Sequence, residues 1–175
     1  MSIPPLVIDL FIPSGGFWSE RLAGFEITQK ILAPSFIFPF ALSQLFSGFL
    51  IDRWGVRRVS LTFSSIFLLA TFGMNFCQSS LQLIMLRICQ GIGGGYAPAT
   101  GQYIVKKISN DQNIAANLGK VGSFVSLVPL WSPLLGEFLI DFKSSILFLL
   151  PILIYGLYLF TYSVSYTHLT LPTKA

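Results

Sequence analysis

The chain has 175 residues, of which 53% are hydrophobic and only 10% are charged. Soluble domains usually carry about 25% charged residues, and a small chain exposes a large fraction of its residues, so this composition excludes a soluble protein. The formal net charge is +4, but the basic residues lie in short gaps between apolar stretches. That distribution argues against nucleic acid as a partner and is typical of membrane orientation signals. We therefore predict an all-α membrane protein surrounded by lipid.

Apolar segments predict the membrane helices, since a bilayer core of about 30 Å needs roughly 20 helical residues. Residues 1–13 are apolar but too short to span, and we interpret them as the outer end of a first helix whose beginning is missing. Five longer segments follow, at about residues 31–51, 59–77, 81–105, 114–140 and 146–162. The sequence thus predicts six helices, the first one clipped.

Positive charges are concentrated in alternate gaps between these segments. The gap after the first full span contains Arg53, Arg57 and Arg58, and the gap after the third contains Lys106 and Lys107. The gap between the second and third spans contains no basic residue. Because cytoplasmic loops carry an excess of Lys and Arg, we predict that the two basic gaps face the cytoplasm.

The most specific motif lies in the first basic gap, where one acid and three arginines surround a turn. Its residues are Gly48, Asp52, Arg53, Gly55, Arg57 and Arg58. A glycine at position 55 permits a tight turn. Asp52 lies at the carboxyl end of a helix, where its charge opposes the helix dipole and calls for a cationic partner or the amino end of another helix. On chemistry alone, a plain basic loop with one acid is an equal alternative.

This pattern, Gly-x-x-x-Asp-Arg-x-Gly-x-Arg-Arg between a second and a third helix, resembles the signature loop of the major facilitator superfamily. In that family the loop acts as a latch that stabilises one of two access states, and the resemblance implies the same role here. It also implies the fold, which is the amino-terminal six-helix bundle of a transporter with about twelve spans in two halves. The missing carboxyl-terminal half would then be a partner of this chain.

A second motif places Arg87 and Gln90 inside the third full span, followed by a run of glycines. A guanidinium in an apolar span costs several kcal/mol on insertion scales, so Arg87 is a functional candidate that faces the bundle interior or water. A structural ion pair is the alternative. Gly91-x-Gly93 does not fit a nucleotide-binding loop, because no strand precedes it and no Gly-Lys-Ser/Thr follows. The string Arg-x-x-Gln-Gly-x-Gly resembles the fourth-helix motif of the same superfamily, whose arginine is associated with proton coupling in antiporters.

A third motif lies in segment 114–140 and contains Pro129, Pro133 and Gly136. It resembles the antiporter motif of drug exporters, roughly Gly-Pro-x-x-Gly-Gly. Pro133 and Gly136 match that motif, whereas Ser132 and Glu137 replace two of its glycines. The resemblance implies export, and the two replacements weaken it.

The first acidic residue, Asp9, precedes Leu-Phe-Ile-Pro at the end of the clipped helix. The string resembles the Asp-x-Tyr-Leu-Pro sequence of the Bcr/CflA branch of drug-resistance transporters, with Phe11 in place of tyrosine. We hypothesise that Asp9 binds a proton or a cationic substrate. An interfacial acid with no such role is the alternative.

The last residues change character abruptly. Segment 164–175 is polar and lacks the basic cluster of a cytoplasmic loop, and it resembles translated sequencing-adapter sequence. We therefore predict a transmembrane bundle at 1–163 and a non-native tail at 164–175. A native linker is the alternative for the tail.

Together the resemblances imply proton-coupled efflux of drugs or other small hydrophobic or cationic compounds by alternating access, in the inner membrane of a bacterium. The expected partners are lipid, the small-molecule substrate and protons, and no cofactor or metal is expected. A facilitator or symporter of sugars or metabolites is one alternative, and a non-transporting membrane subunit or fragment is another, although Arg87 argues against the latter. An enzyme is not expected, because the spans contain no cluster of His, Cys or carboxylates.

Overall fold

The computed structural model describes residues 25–142, with side-chain surroundings for residues 30–127 and for Leu130. This part of the chain is helical and contains no β-strand. Its elements are α1 (Phe25–Trp54), α2 (Val56–Gly73), a 3₁₀ turn (Met74–Phe76), α3 (Ser80–Gly94), α4 (Tyr96–Ile108), a 3₁₀ turn (Asp111–Asn113) and α5 (Ile114–Phe142). The predicted all-α class is confirmed for these residues. The predicted segments 1–13 and 146–162 lie outside them, so the count of six helices stays a prediction.

Two stretches within the described range are long and apolar enough to cross a membrane, Lys30–Trp54 and Val56–Phe76. Their outward faces carry large apolar side chains that are mostly exposed, such as Phe38, Leu45 and Leu69. Soluble monomers rarely expose contiguous apolar surface on this scale. The helices therefore have the surface that lipid contact requires.

The predicted segment 81–105 differs from the structure, because it is divided at Gly95 into α3 and α4. Gly95 keeps a right-handed helical conformation, and its N–H still bonds to the carbonyl of Gly91 at 3.1 Å. The interruption has a local cause. Pro98 has no N–H to donate to the carbonyl of Gly94, and its ring crowds the preceding turn. The chain therefore passes from α3 to α4 through a single residue that keeps a helical conformation.

Glycines let α3 pack directly against the backbones of both neighbouring helices. A Cβ at Gly93 would lie 2.6 Å from the backbone nitrogen of Phe67 and 2.8 Å from the carbonyl oxygen of Phe63, both in α2. A Cβ at Gly91 would collide with the carbonyl oxygen of Phe36 in α1. Small residues at such contacts let membrane helices approach closely. The glycine run thus holds α3 between α1 and α2.

A separate apolar cluster fixes the basic turn against α4. Ile51, Val56, Val59, Tyr96 and Ala97 are buried together at the junction of α1, α2 and α4. The hydroxyl of Tyr96 also shares a short hydrogen bond with the hydroxyl of Ser64 on α2. This packing holds the end of α1 and the start of α2 against α4.

Candidate functional site

Helix α3 begins with a capping arrangement. The side chain of Ser79 accepts a hydrogen bond from the backbone N–H of Gln82 at 3.3 Å, and the Gln82 side chain accepts one from the N–H of Gln78 at 3.0 Å. Such bonds satisfy amides that a first helical turn leaves without partners. From this start, Arg87 and Gln90 fall on the same buried face of α3, because residues three apart are neighbours on a helix.

Arg87 and Gln90 form a buried chain of hydrogen bonds that ends on α2. Arg87 is 2% exposed and donates through Nη1 to Oε1 of Gln90 at 2.9 Å. Gln90 is fully buried and donates through Nε2 to Oγ1 of Thr71 at 2.9 Å. Thr71 donates in turn to the carbonyl oxygen of Phe67 at 2.7 Å. The two predicted residues are thus brought together, and they are tied to a third residue on a different helix.

The guanidinium of Arg87 also contacts α1. Its central carbon lies 5.9 Å from the centroid of the Phe36 ring, within the range of a cation–π interaction. Phe36 is itself buried and stacks on Phe40, with ring centroids 5.6 Å apart. Arg87 therefore faces the interior between α1, α2 and α3, which avoids the cost of presenting a guanidinium to lipid.

In the described part of the chain, the surroundings of the Arg87 charge are mostly uncharged. Its partners given above, the amide of Gln90 and the ring of Phe36, are neutral, and helices α2, α3 and α4 contain no Asp or Glu at all. A buried cation in such surroundings favours the ionised form of any carboxyl group brought beside it and attracts an anionic ligand. The arrangement can therefore respond to a proton gained or lost by a neighbouring acid.

The residues of the predicted latch are gathered at the turn between α1 and α2. Asp52 and Arg53 occupy the last turn of α1, Arg57 and Arg58 begin α2, and all four side chains are exposed. Gly55 joins the helices with φ 79° and ψ 151°. Within the described residues, the Asp52 carboxylate makes no ion pair. The surface is thus available to a partner from outside this part of the chain.

Replacing Gly55 with alanine is expected to destabilise the protein, because the left-handed backbone at this position strains any residue with a Cβ. Such strain typically costs about 1–3 kcal/mol. Gly48→Ala is the matched control, since nothing lies within 4 Å of a Cβ placed there and α1 is helical throughout. The measurement is the thermal unfolding midpoint of the purified protein. Equal midpoints for the two variants would contradict the expectation.

Four other predicted site residues have no described side-chain surroundings. Asp9 lies outside the described residues. Pro129, Pro133 and Gly136 lie within α5, which runs through all three positions, but their side-chain surroundings are outside the described set. Their roles stay predictions.

Sequence reasoning missed two members of the buried site, Thr71 and Phe36. Each lies in an apolar span that offers many residues of the same kind, and neither belongs to a motif. A polar residue in a membrane helix is a weak signal for such a partner, because serine and threonine also bond to their own helix backbone. Only the packing of α2 and α1 on α3 distinguishes these two residues.

Comparison of the sequence with known proteins assigns the chain to a family. The sequence profile of the Major Facilitator Superfamily matches residues 6–174, which is most of the chain. The chain belongs to the major facilitator superfamily. Membership in a family of membrane transporters, together with the apolar helices, makes it an integral membrane protein. The buried Arg87 site and the basic turn both lie within residues 6–174, which match the superfamily.

Curated relatives within the superfamily carry names that refer to drug resistance. The chain is 32% identical over 152 residues to the putative multidrug resistance protein MdtD of Klebsiella pneumoniae (strain 342), covering 82% of this chain and 30% of the relative. It is 28% identical over 178 residues to the multidrug resistance protein MdtL of Shewanella sp. (strain ANA-3), covering 96% and 45%. The chain thus spans less than half the length of these relatives.

Proposed function

We propose that this chain is the amino-terminal half of a proton-coupled exporter of drugs or other small hydrophobic or cationic compounds. The observation that carries the proposal is the buried Arg87, held between three helices by Gln90, Thr71 and Phe36. A charge buried in a membrane bundle is costly and marks a substrate or ion pathway. The drug-resistance names of the relatives support export as the direction and drugs as the substrate class.

The proposed mechanism is alternating access, in which one six-helix bundle rocks against the other around a site near the bilayer midplane. Arg87 stabilises the ionised state of a carboxyl group in the cavity, and Asp9 is the candidate for that group. Protonation of the acid weakens its attraction to the guanidinium and favours the other access state. The resemblance of Asp9 and its neighbours to the Bcr/CflA branch supports this assignment, and the bacterial relatives support an inner-membrane location.

The basic turn is proposed to act as the latch between the two halves. Asp52 is exposed at the end of α1, with Arg57 and Arg58 beside it at the start of α2. The amino end of a helix from the other half would stabilise the Asp52 carboxylate through the helix dipole. The proline and glycine residues of the α5 motif, Pro133 and Gly136, would contribute to conformational change at the same interface.

The experiment uses the complete transporter that contains this chain, expressed in a bacterium that lacks its own drug pumps. Inverted membrane vesicles are energised by respiration, and accumulation of the fluorescent cation ethidium is recorded with and without a protonophore. We expect accumulation that the protonophore abolishes and that Asp9→Asn removes, while Lys107→Gln, an exposed change at the end of α4, retains it. Protonophore-resistant accumulation, or uptake of sugars without export of ethidium, would contradict the proposal.

A further inference from the structure

Among the described buried hydroxyl groups, that of Thr71 bonds both to its own helix backbone and to a side chain of another helix. Thr71 lies on α2, is 1% exposed, and donates to the carbonyl oxygen of Phe67, four residues earlier in the same helix. Bonds of this kind are ordinary for threonine in a helix. Thr71 also accepts a hydrogen bond from a side chain on another helix, the amide of Gln90. Its hydroxyl therefore joins the backbone of α2 to the polar chain of α3.

The direction of each hydrogen bond in this chain is determined by its neighbours. Arginine can only donate, so Gln90 must turn its oxygen towards Arg87 and its NH₂ group towards Thr71. Thr71 must then accept from Gln90, which leaves its single proton for the carbonyl of Phe67. All donors point the same way, and aligned hydrogen bonds strengthen one another. The orientation of the Gln90 amide thus depends on the Thr71 hydroxyl.

The position of Arg87 depends in turn on that amide. Gln90 holds one nitrogen of the guanidinium from α3, while the ring of Phe36 faces it from α1. In the described helices packed on α3, the charged groups are Glu26, Lys30, Asp52 and Arg53 of α1, Arg57 and Arg58 of α2, and Lys106 and Lys107 of α4. These residues lie near helix ends, and those with described side-chain surroundings are exposed. Among the described groups that contact the guanidinium, Gln90 and Phe36 are neutral and lie between the charged ends of these helices.

We propose that Thr71 is a positioning residue, which sets the orientation of the Arg87 guanidinium by fixing the side-chain amide of Gln90. The proposal rests on the function proposed above, because a fixed guanidinium matters when it must meet an acid or a ligand in one of two access states. Without the hydroxyl, the Gln90 NH₂ group loses its acceptor in a buried site and rotates to find another. Arg87 then loses its acceptor on Gln90 as well.

The test compares Thr71→Val, Thr71→Ser and Thr100→Val in the complete transporter. Valine preserves the shape of threonine and removes the hydroxyl, whereas serine keeps the hydroxyl. Thr100 is the matched control, because it is also fully buried and bonds to the carbonyl four residues earlier, that of Tyr96, at 3.1 Å. Within the described residues, Thr100 accepts no side-chain hydrogen bond. It therefore reports the effect of losing a buried back-bonded hydroxyl alone.

The first readout is proton-driven ethidium export in proteoliposomes, normalised to folded transporter and measured across pH. We expect Thr71→Val to lower turnover by about tenfold, as the loss of one buried hydrogen-bond partner implies, and to change the pH profile. Thr71→Ser should restore most of the rate, and Thr100→Val should resemble the wild type. Equal rates and pH profiles for the two valine variants would overturn the proposal.

The second readout does not depend on transport. Nitrogen-15 arginine labelling and NMR in detergent micelles follow the guanidinium protons, with the Arg87 signal identified by its absence in Arg87→Lys. We expect a slowly exchanging Arg87 signal in the wild type, Thr71→Ser and Thr100→Val, and its broadening or loss in Thr71→Val. An unchanged signal in Thr71→Val would overturn the positioning role. Absence of proton-driven transport by the wild type, with the NMR difference present, would instead overturn the proposed function.

Discussion

Arg87→Met is expected to abolish proton-driven export while leaving a folded transporter. Methionine fills an apolar site flexibly, and replacing buried charged groups by apolar ones is often neutral or stabilising for the fold. The variant leaves Oε1 of Gln90 without its donor, at a cost of about 1–3 kcal/mol. In the proposed mechanism, however, the carboxyl group that carries the proton loses the positive charge that stabilises its ionised form. We expect a rate loss of at least about 100-fold, which corresponds to about 2.7 kcal/mol.

The measurement is ethidium export by proteoliposomes, per folded transporter, with the unfolding midpoint recorded in parallel. Arg87→Lys is informative beside it, because lysine keeps the charge but lacks the planar fork that meets Gln90 and the Phe36 ring together. We expect an intermediate loss for that variant. Lys107→Gln removes an exposed charge and should transport normally. Normal export by Arg87→Met would leave Arg87 with a structural role only.

Gly93→Ala is expected to reduce the folded protein strongly, although it adds a single methyl group. The new Cβ would lie 2.6 Å from the backbone nitrogen of Phe67 and 2.8 Å from the carbonyl oxygen of Phe63. These are backbone atoms of α2, so no side chain can rotate away, and the two helices must separate. Overpacking of a close contact costs about 1–3 kcal/mol. The separation would also stretch the Gln90–Thr71 hydrogen bond. The export rate per folded protein should therefore fall as well as the folded fraction.

The control for this change is Gly119→Ala in α5. It is the same substitution in a helix, and nothing lies within 4 Å of the added Cβ in the described structure. Alanine is favoured over glycine in a helix interior by about 1 kcal/mol, so this variant should be neutral or slightly stabilised. Fluorescence-detected size-exclusion chromatography gives the folded fraction of each variant. A folded fraction for Gly93→Ala equal to that of Gly119→Ala would contradict the packing described for α3.

Much of the fold could be predicted because membrane helices are recognisable in the sequence as long apolar segments. Long apolar segments locate the ends of α1, α2 and α5 to within six residues, since a helix satisfies its own backbone hydrogen bonds in lipid. The break at Gly95 was not predicted, although Pro98 is visible in the sequence. Proline is tolerated in membrane helices where neighbours satisfy the freed groups, so its presence alone does not decide whether a helix is interrupted.

The sequence by itself indicated that Arg87 faces the bundle interior or water and that Gly55 permits a turn. Both conclusions follow from local properties, the cost of a guanidinium in lipid and the backbone freedom of glycine. The tertiary structure alone decided which side chains of other helices join Arg87 and Gln90 in the buried site. Thr71 and Gln90 are 19 residues apart on different helices, and their contact depends on how closely α2 approaches α3 at Gly93. Hydropathy and motif spacing do not predict the distance between α2 and α3, because that distance depends on how the surfaces of the two helices fit together.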